Sequence, residues 1–477
     1  MLFNSYIFIL LFLPVTLAVY FGLNKLNKYT TAKLSLVLAS LFFYGFNNVS
    51  YVFVILSSIF LNYGLVKLMQ RIPRSKQLLV VIGIIGNLLL LGYFKYFDFL
   101  LINVNAIFGS DFDLLHLALP LGISFFTFQQ LSFLIDAGRG ESTCENFVDY
   151  ILFVTYFPQL VAGPIVSHDE MLPQFAATDN KLLNWDNMVK GVIAFSFGLF
   201  KKVIIADNFG KIVTYGFSHI PYLLTLEALL TIVSYTIQIY FDFSGYCDMA
   251  SGIAWMFNVE LPMNFNSPYK AATIQEFWKR WHMTLTRFLT KYVYIPLGGN
   301  RKGTVRTYIN IFVTFLVSGI WHGAGYTFIL WGILHGIANV LCRMFNKQIR
   351  KIPRLINWLV TFLFLNLTWI VFRAESIPQV FQLLSRITAG GFAVSNELTH
   401  ILTEITLISI PYPRLSLETV LSIYTGMVIG VSVICPNTTE VIRSGKYKTL
   451  LLLISIGLFL LSMLSLSGVS TFLYFNF

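Results

Sequence analysis

Two histidines, each directly after a tryptophan, are the side chains in this 477-residue chain best suited to chemistry. Trp281-His282 closes the run Glu276-Phe277-Trp278-Lys279-Arg280-Trp281-His282, and Trp321-His322-Gly323 interrupts a long apolar stretch further on. An ionisable side chain inside a bilayer is costly and marks function by default. Histidine is also the side chain that moves protons near neutral pH. His322 is flanked by Gly319, Gly323 and Gly325, which weaken a helix and let backbone or ligand come close. Irregular backbone at membrane depth is tolerated where it is buried or lines a wet cavity. Two readings stay open: His322 sits at a helix break facing a cavity, or it is a helix-end histidine bonded to a backbone carbonyl.

Other polar residues carry less. Asp242 and Asp248, in Tyr240-Phe241-Asp242-Phe243-Ser244-Gly245-Tyr246-Cys247-Asp248, are carboxylates in an apolar region and need partners. They either anchor a helix, the favoured reading, or position a donor. Gly332-Ile333-Leu334-His335-Gly336 has the GxxxG spacing of close helix packing, which gives His335 a structural part. His168-Asp169-Glu170 lies in a polar loop and resembles a metal cluster only superficially. His116, His219 and His400 lie near loops and carry no signal. There is no GxSxG elbow, Walker A loop or HExxH.

The elements that position these residues must be membrane helices. The chain is 56% hydrophobic and 12% charged, against about 25% charge in a soluble protein. Its mean hydropathy is +0.72. The apolar runs are long and continuous, which excludes the alternating pattern of a β-barrel. The net charge of +11 sits in short loops between apolar segments, so membrane topology explains it and nucleic acid is not an expected partner. Cys144, Cys247, Cys342 and Cys435 are scattered and form no disulfide framework or zinc site. Met1 to Tyr20 lacks a basic n-region and a small-residue cleavage pattern, and reads as a retained first span.

Segments of spanning length fall near 3–22, 32–46, 51–69, 78–94, 115–135, 147–162, 188–206, 222–241, 307–321, 324–342, 355–372, 418–435 and 449–468. The basic loops after the first and third spans, and those at Arg343 to Arg354 and Arg443 to Lys448, place these loops in the cytoplasm and both termini outside. Both termini outside requires an even number of crossings, so one middle segment does not cross fully. Gly163 to Asn187 reads as a loop with short helices, and Ser376 to Ser416 as an external loop with some helix. Residues 276–292 are too polar to span. At about 100° per residue, Glu276, Lys279, Arg280, Arg287 and Lys291 share one face, and Trp278, Trp281, Leu285, Phe288, Leu289 and Tyr292 the other. This predicts an amphipathic helix lying at a membrane surface or wedged into the protein at an angle, with the block facing the cytoplasm. Its basic face suits anionic lipid headgroups, and also a phosphate-bearing donor such as coenzyme A.

Several stretches together resemble the membrane-bound O-acyltransferase (MBOAT) family: Leu119 to Phe128, Tyr156 to Ile165, Tyr240 to Ala250, Asn264 to Tyr269, Phe277 to Leu285, Tyr294 to Asn300 and Ser318 to Gly325. With the histidine helix that follows they span 119–336. The resemblance is closest to the bacterial branch of alginate O-acetylase-like polysaccharide acetyltransferases, which also holds the D-alanyl transferases of teichoic acid synthesis. Cys247 stands where that family is expected to have serine.

The resemblance implies an all-α polytopic protein, with a ring of tilted transmembrane helices around a central channel. It implies one membrane domain over 1–477, with a catalytic core at 119–336 and C-terminal helices at 355–477. His322 looks like the family's catalytic histidine, and His282 like a second position that is Asn or Asp in many eukaryotic members and His in this branch. Trp321, Trp281, Arg280, Asn266, Asp242 and Asp248 are then the expected substrate-binding residues, with no metal and no bound cofactor. The expected donor is acetyl-CoA or another acyl thioester. The expected acceptor is a cell-surface polysaccharide, with a separate extracytoplasmic SGNH-type protein handling the acetyl group, and lipids as further partners. The expected location is the bacterial cytoplasmic (inner) membrane. The spans near 418–435 and 449–468 favour polysaccharide acetylation over D-alanyl transfer. The alternatives are D-alanyl transfer and, against the lack of any internal repeat, a proton-coupled transporter.

Overall fold

In the computed structural model, residues 1–142, 146–403, 417–466 and 470–473 are described. Among them every regular element is helical. Six helices are long and apolar enough to cross a bilayer: Phe8–Lys25, Ser50–Arg71, Pro73–Phe108, Thr304–His322, Tyr326–Met344 and Arg354–Arg373. Two shorter apolar helices, Leu417–Ile434 and Lys448–Leu464, follow. The protein is a multi-pass, all-α membrane protein. The chain forms two compact units, one of Met1–Phe195 with Met249–Pro262, the other of Ser196–Asp248 with Met263–Phe477.

In the first unit, helices with little polar surface are joined by small and polar residues, since lipid supplies no hydrophobic drive between them. Asn62 and Asn87 exchange amide hydrogen bonds of 3.1 and 2.7 Å. Gly83 lies so close to Leu134 that an added Cβ would meet its side chain at 2.4 Å. Lys33 pairs with Asp149 at 2.5 Å. The segment 147–162, a candidate span, is two short helices, Phe147–Thr155 and Phe157–Leu160. They are split at Tyr156, whose ψ of 106° precedes Phe157-Pro158. His168 and its neighbours open the helix His168–Ala176. Ser167 and Glu170 form a capping box there, so Glu170 has a structural use that needs no metal.

The second unit holds both Trp-His motifs. Thr304–His322 and Tyr326–Met344 form an antiparallel hairpin whose axis is lined by glycine. A Cβ on Gly319 would lie 2.4 Å from the Phe328 carbonyl oxygen, and one on Gly332 2.7 Å from that of Phe315. The GxxxG spacing thus serves close packing. Arg354–Arg373 packs beside the hairpin and brings Trp369 and Phe372 to it. Two further helices follow, Ile377–Arg386 and Asn396–Thr403. The remainder of the 376–416 loop lies outside the described residues.

The predicted amphipathic helix over 276–292 is corrected. Two short helices form instead, Ile274–Trp278 and Met283–Leu289, broken by His282 in the left-handed region at φ 45°. The break arises because Asn264, from an irregular segment, takes over the start of the second helix. Its backbone oxygen accepts from Met283 N at 2.9 Å, and its side-chain oxygen from Thr284 N at 3.3 Å. The apolar face is not at a membrane surface: Phe277, Trp278, Trp281 and His282 are all buried.

Candidate active site

The break at His282 fixes that ring. Its Nδ1 lies 3.1 Å from Asn264 Oδ1, which also accepts from the Thr284 hydroxyl at 2.9 Å. An oxygen that already accepts from an N–H and an O–H is an acceptor, so His282 Nδ1 carries the proton and Nε2 keeps its lone pair. Asn264 Nδ2 donates to Cys247 Sγ at 3.4 Å. The ring of Phe243 stands edge-on to His282 at 5.0 Å. A non-glycine residue in the left-handed region is uncommon and is held there by its surroundings. Here those surroundings are the Asn264 bonds.

His322 is the last residue of its helix, as the glycines around it imply. Gly323 follows in extended backbone, and a Cβ there would strike the Phe328 ring at 2.2 Å. The His322 ring is edge-on to Trp331 at 5.1 Å and to Phe372 at 5.2 Å, and retains 3% exposure. The helix does end at His322, and where one of the two open readings placed a cavity the imidazole lies in an aromatic enclosure. Trp321 joins the two histidines: its ring centroid is 4.8 Å from His322 and 6.2 Å from His282. Residues far apart in sequence thus share one neighbourhood.

The other expected site residues divide. Trp281 packs in an aromatic core, 4.9 Å from Trp369 and stacked on Phe277 at 5.4 Å. Trp369 in turn contacts Phe372 at 5.7 Å, so Trp281 supports the wall of the His322 enclosure. Arg280 is held by Glu276 at 3.1 Å and donates to the Asn266 carbonyl at 3.1 Å. The Asn266 side chain accepts from Asn437 at 2.9 Å. This group braces the chain beside the break. Asp242 pairs with Lys202 at 2.7 Å and accepts from Leu473 N at 3.0 Å. Asp248 pairs with Lys201 at 2.6 Å. Both carboxylates have structural partners, as the favoured reading of them requires. His335 is fully buried and accepts from Trp278 Nε1 at 3.2 Å.

Sequence reading missed Lys201, Lys202, Asn264, Trp331, Trp369 and Phe372. The two lysines had a signal, because they sit inside the apolar segment 188–206. Asp242 and Asp248 are six positions apart on one helix and point about 120° apart. Lys201 and Lys202, consecutive residues at the start of a π turn, Lys201–Ala206, reach one carboxylate each.

Against this geometry the comparisons with known proteins are consistent. Residues 115–376 match the model of MBOAT, the membrane-bound O-acyltransferase family. A peptidoglycan O-acetyltransferase of Helicobacter pylori is 44% identical over 519 residues, covering 100% of this chain and 98% of that protein. A probable alginate O-acetylase AlgI of Pseudomonas aeruginosa is 36% identical, covering 84% of this chain and 77% of its own length. A teichoic acid D-alanyltransferase of Bacillus subtilis is 26% identical over 48% of this chain and 60% of its own. The chain belongs to the membrane-bound O-acyltransferase family. It is an acyltransferase of the branch that holds bacterial polysaccharide acetyltransferases.

Proposed function

We propose that this protein is an O-acetyltransferase of the bacterial cytoplasmic membrane. It moves an acetyl group from a cytoplasmic thioester, acetyl-CoA, to an exported cell-surface polysaccharide or to an extracytoplasmic SGNH-type partner. The observation that carries this reading is the meeting of His322 and His282 around Trp321, at a helix end and a helix break of one unit. The full-length similarity to a peptidoglycan O-acetyltransferase supports peptidoglycan as the acceptor polymer. The shorter and weaker similarity to a D-alanyltransferase makes D-alanyl transfer the second reading.

In this reading neutral His322 removes the proton of the acceptor hydroxyl as that oxygen attacks the thioester carbonyl. Such a general base contributes about 10²–10⁴-fold. The tetrahedral intermediate collapses with cleavage of the C–S bond, and the proton on His322 passes to the departing thiolate, which restores the base. In the tautomer that Asn264 fixes, Nε2 has no proton to give the carbonyl oxygen, so His282 positions the donor as a hydrogen-bond acceptor. The enclosure of Trp321, Trp331 and Phe372 limits water and so protects the thioester from hydrolysis. Trp281 supports binding by holding the Phe372 wall through Trp369, Arg280 and Asn266 by bracing the chain beside the break, and Asp242 and Asp248 by fixing their helix to Lys202 and Lys201. The basic loops face the cytoplasm, where the donor's phosphates and anionic lipid headgroups are attracted.

The test offers purified protein two labelled donors, acetyl-CoA and a D-alanyl carrier-protein thioester, with a glycan acceptor. Transfer of the acetyl label alone supports acetylation. Transfer of only the D-alanyl label replaces it with the second reading.

A further inference from the structure

We infer that a second cavity in the same unit binds an uncharged carbohydrate, the acceptor side of the acyl transfer proposed above, on which this inference rests. The cavity measures about 930 Å³, within the range of small-ligand sites. Its walls come from the helices Asp207–Ser218, Thr225–Met256 and Asn396–Thr403 and from the segment Ser470–Leu473. Arg354–Arg373 and Lys448–Leu464 both start beside basic loops, and the cavity's wall residues Glu397 and Ser465 lie beyond their far ends. By the positive-inside rule the cavity opens outward, the side of an exported acceptor.

Its chemistry suits neutral hydroxyl-rich ligands. At the floor, Lys202 is neutralised by Asp207 and Asp242, each at 2.7 Å, and donates to the Thr471 carbonyl at 3.1 Å. Ser470 donates to the second Asp207 oxygen at 2.6 Å. Counting the charged lining residues, Asp207, Asp242 and Glu397 outnumber Lys202 and Lys211 by one. A polyanion, such as a polyuronate or a polyphosphate, meets no complementary field there. Tyr215 and His219 stack at 4.6 Å and 24°, and Ser395 holds the Tyr215 hydroxyl at 2.9 Å. This gives a flat aromatic face for the C–H side of a pyranose ring. The amide oxygen of Gln238 is buried without a hydrogen-bond partner. Gln238 lines the cavity, and a turn of its amide brings this open acceptor to a sugar hydroxyl or acetamido N–H. Gly210 makes room for that amide: a Cβ there would meet Gln238 Nε2 at 2.7 Å.

The cavity and His282 are linked through one helix. Asp242 lines its floor, and the next residue on the same helix, Phe243, lies against His282.

The experiment uses the full chain in lipid nanodiscs and reads binding calorimetrically without donor. The probes are a tetramer of N-acetylglucosamine and a uronate tetramer. The neutral tetramer is expected to bind about tenfold more tightly than the uronate. Gln238→Leu is expected to weaken it about five- to tenfold, and Gly210→Ala similarly. Equal or tighter uronate binding, no binding of either probe, or neutral binding indifferent to both substitutions would overturn the inference. If the variants do not fold, the discrimination by the unaltered protein decides. Donor turnover is assayed separately. Neutral binding without any acyl transfer would sink the acyltransfer reading and leave the cavity assignment standing.

Discussion

Replacing Asn264 with leucine separates the anchoring of His282 from its chemistry. Leucine is close in volume but removes the oxygen that lies 3.1 Å from His282 Nδ1 and 2.9 and 3.3 Å from the Thr284 hydroxyl and N–H. With the bond from Nδ2 to Cys247 Sγ, four side-chain hydrogen bonds are lost, and at about 0.5–1.5 kcal/mol each they destabilise the fold by about 2–6 kcal/mol. The imidazole also loses its fixed tautomer and aim. A displacement of about 1 Å at a reacting site costs about 10²-fold in rate. Asn264→Leu should therefore lower acetyl turnover by about that factor, even at a temperature where thermal unfolding shows the protein still folded. Cys247→Ser is the matched control. A serine oxygen accepts from Asn264 Nδ2 at least as well as Cys247 Sγ does, so turnover should stay within about twofold. The assay is labelled-acetyl transfer under saturating donor, with thermal unfolding measured in parallel. Undiminished turnover in folded Asn264→Leu would refute the anchoring role of that residue.

Lys202→Met leaves the buried Asp242 carboxylate without its cation, which should cost about 3–5 kcal/mol, while the double change Lys202→Met with Asp242→Leu should recover most of it; denaturant-dependent unfolding in detergent reads both. In the hairpin, Gly319→Ala drives a methyl to 2.4 Å from a backbone oxygen and should destabilise by about 1–3 kcal/mol. Gly457→Ala, with nothing within 4 Å of its added Cβ, should be neutral or stabilising by up to about 1 kcal/mol. Paired thermal melts check this contrast.

Features set by local spacing were legible in the sequence. The glycine-flanked Trp321-His322 announced a helix end, and the apolar runs at 307–321 and 324–342 became the hairpin Thr304–His322 and Tyr326–Met344. The Gly332–Gly336 spacing announced close packing. Features that depend on distant partners were not legible. The 276–292 pattern fits one helix by periodicity, but its continuity is broken by Asn264, a residue outside the segment whose amide competes for Met283 and Thr284. The pairing of Asp242 and Asp248 with Lys202 and Lys201 joins two helices, and no periodicity within either one signals it. Trp331, Trp369 and Phe372 read as ordinary apolar helix residues. Only the packing of three helices shows that they wall in His322.

His322→Ala in proteoliposomes is the most direct measurement. Labelled acetyl-CoA is supplied on the side of the basic loops, and acetylated glycan is counted on the other. If His322 is the general base, transfer falls by at least about 10²-fold while thermal unfolding shows an intact fold. Transfer within a few-fold of the unaltered protein would contradict it and move the chemistry to another residue.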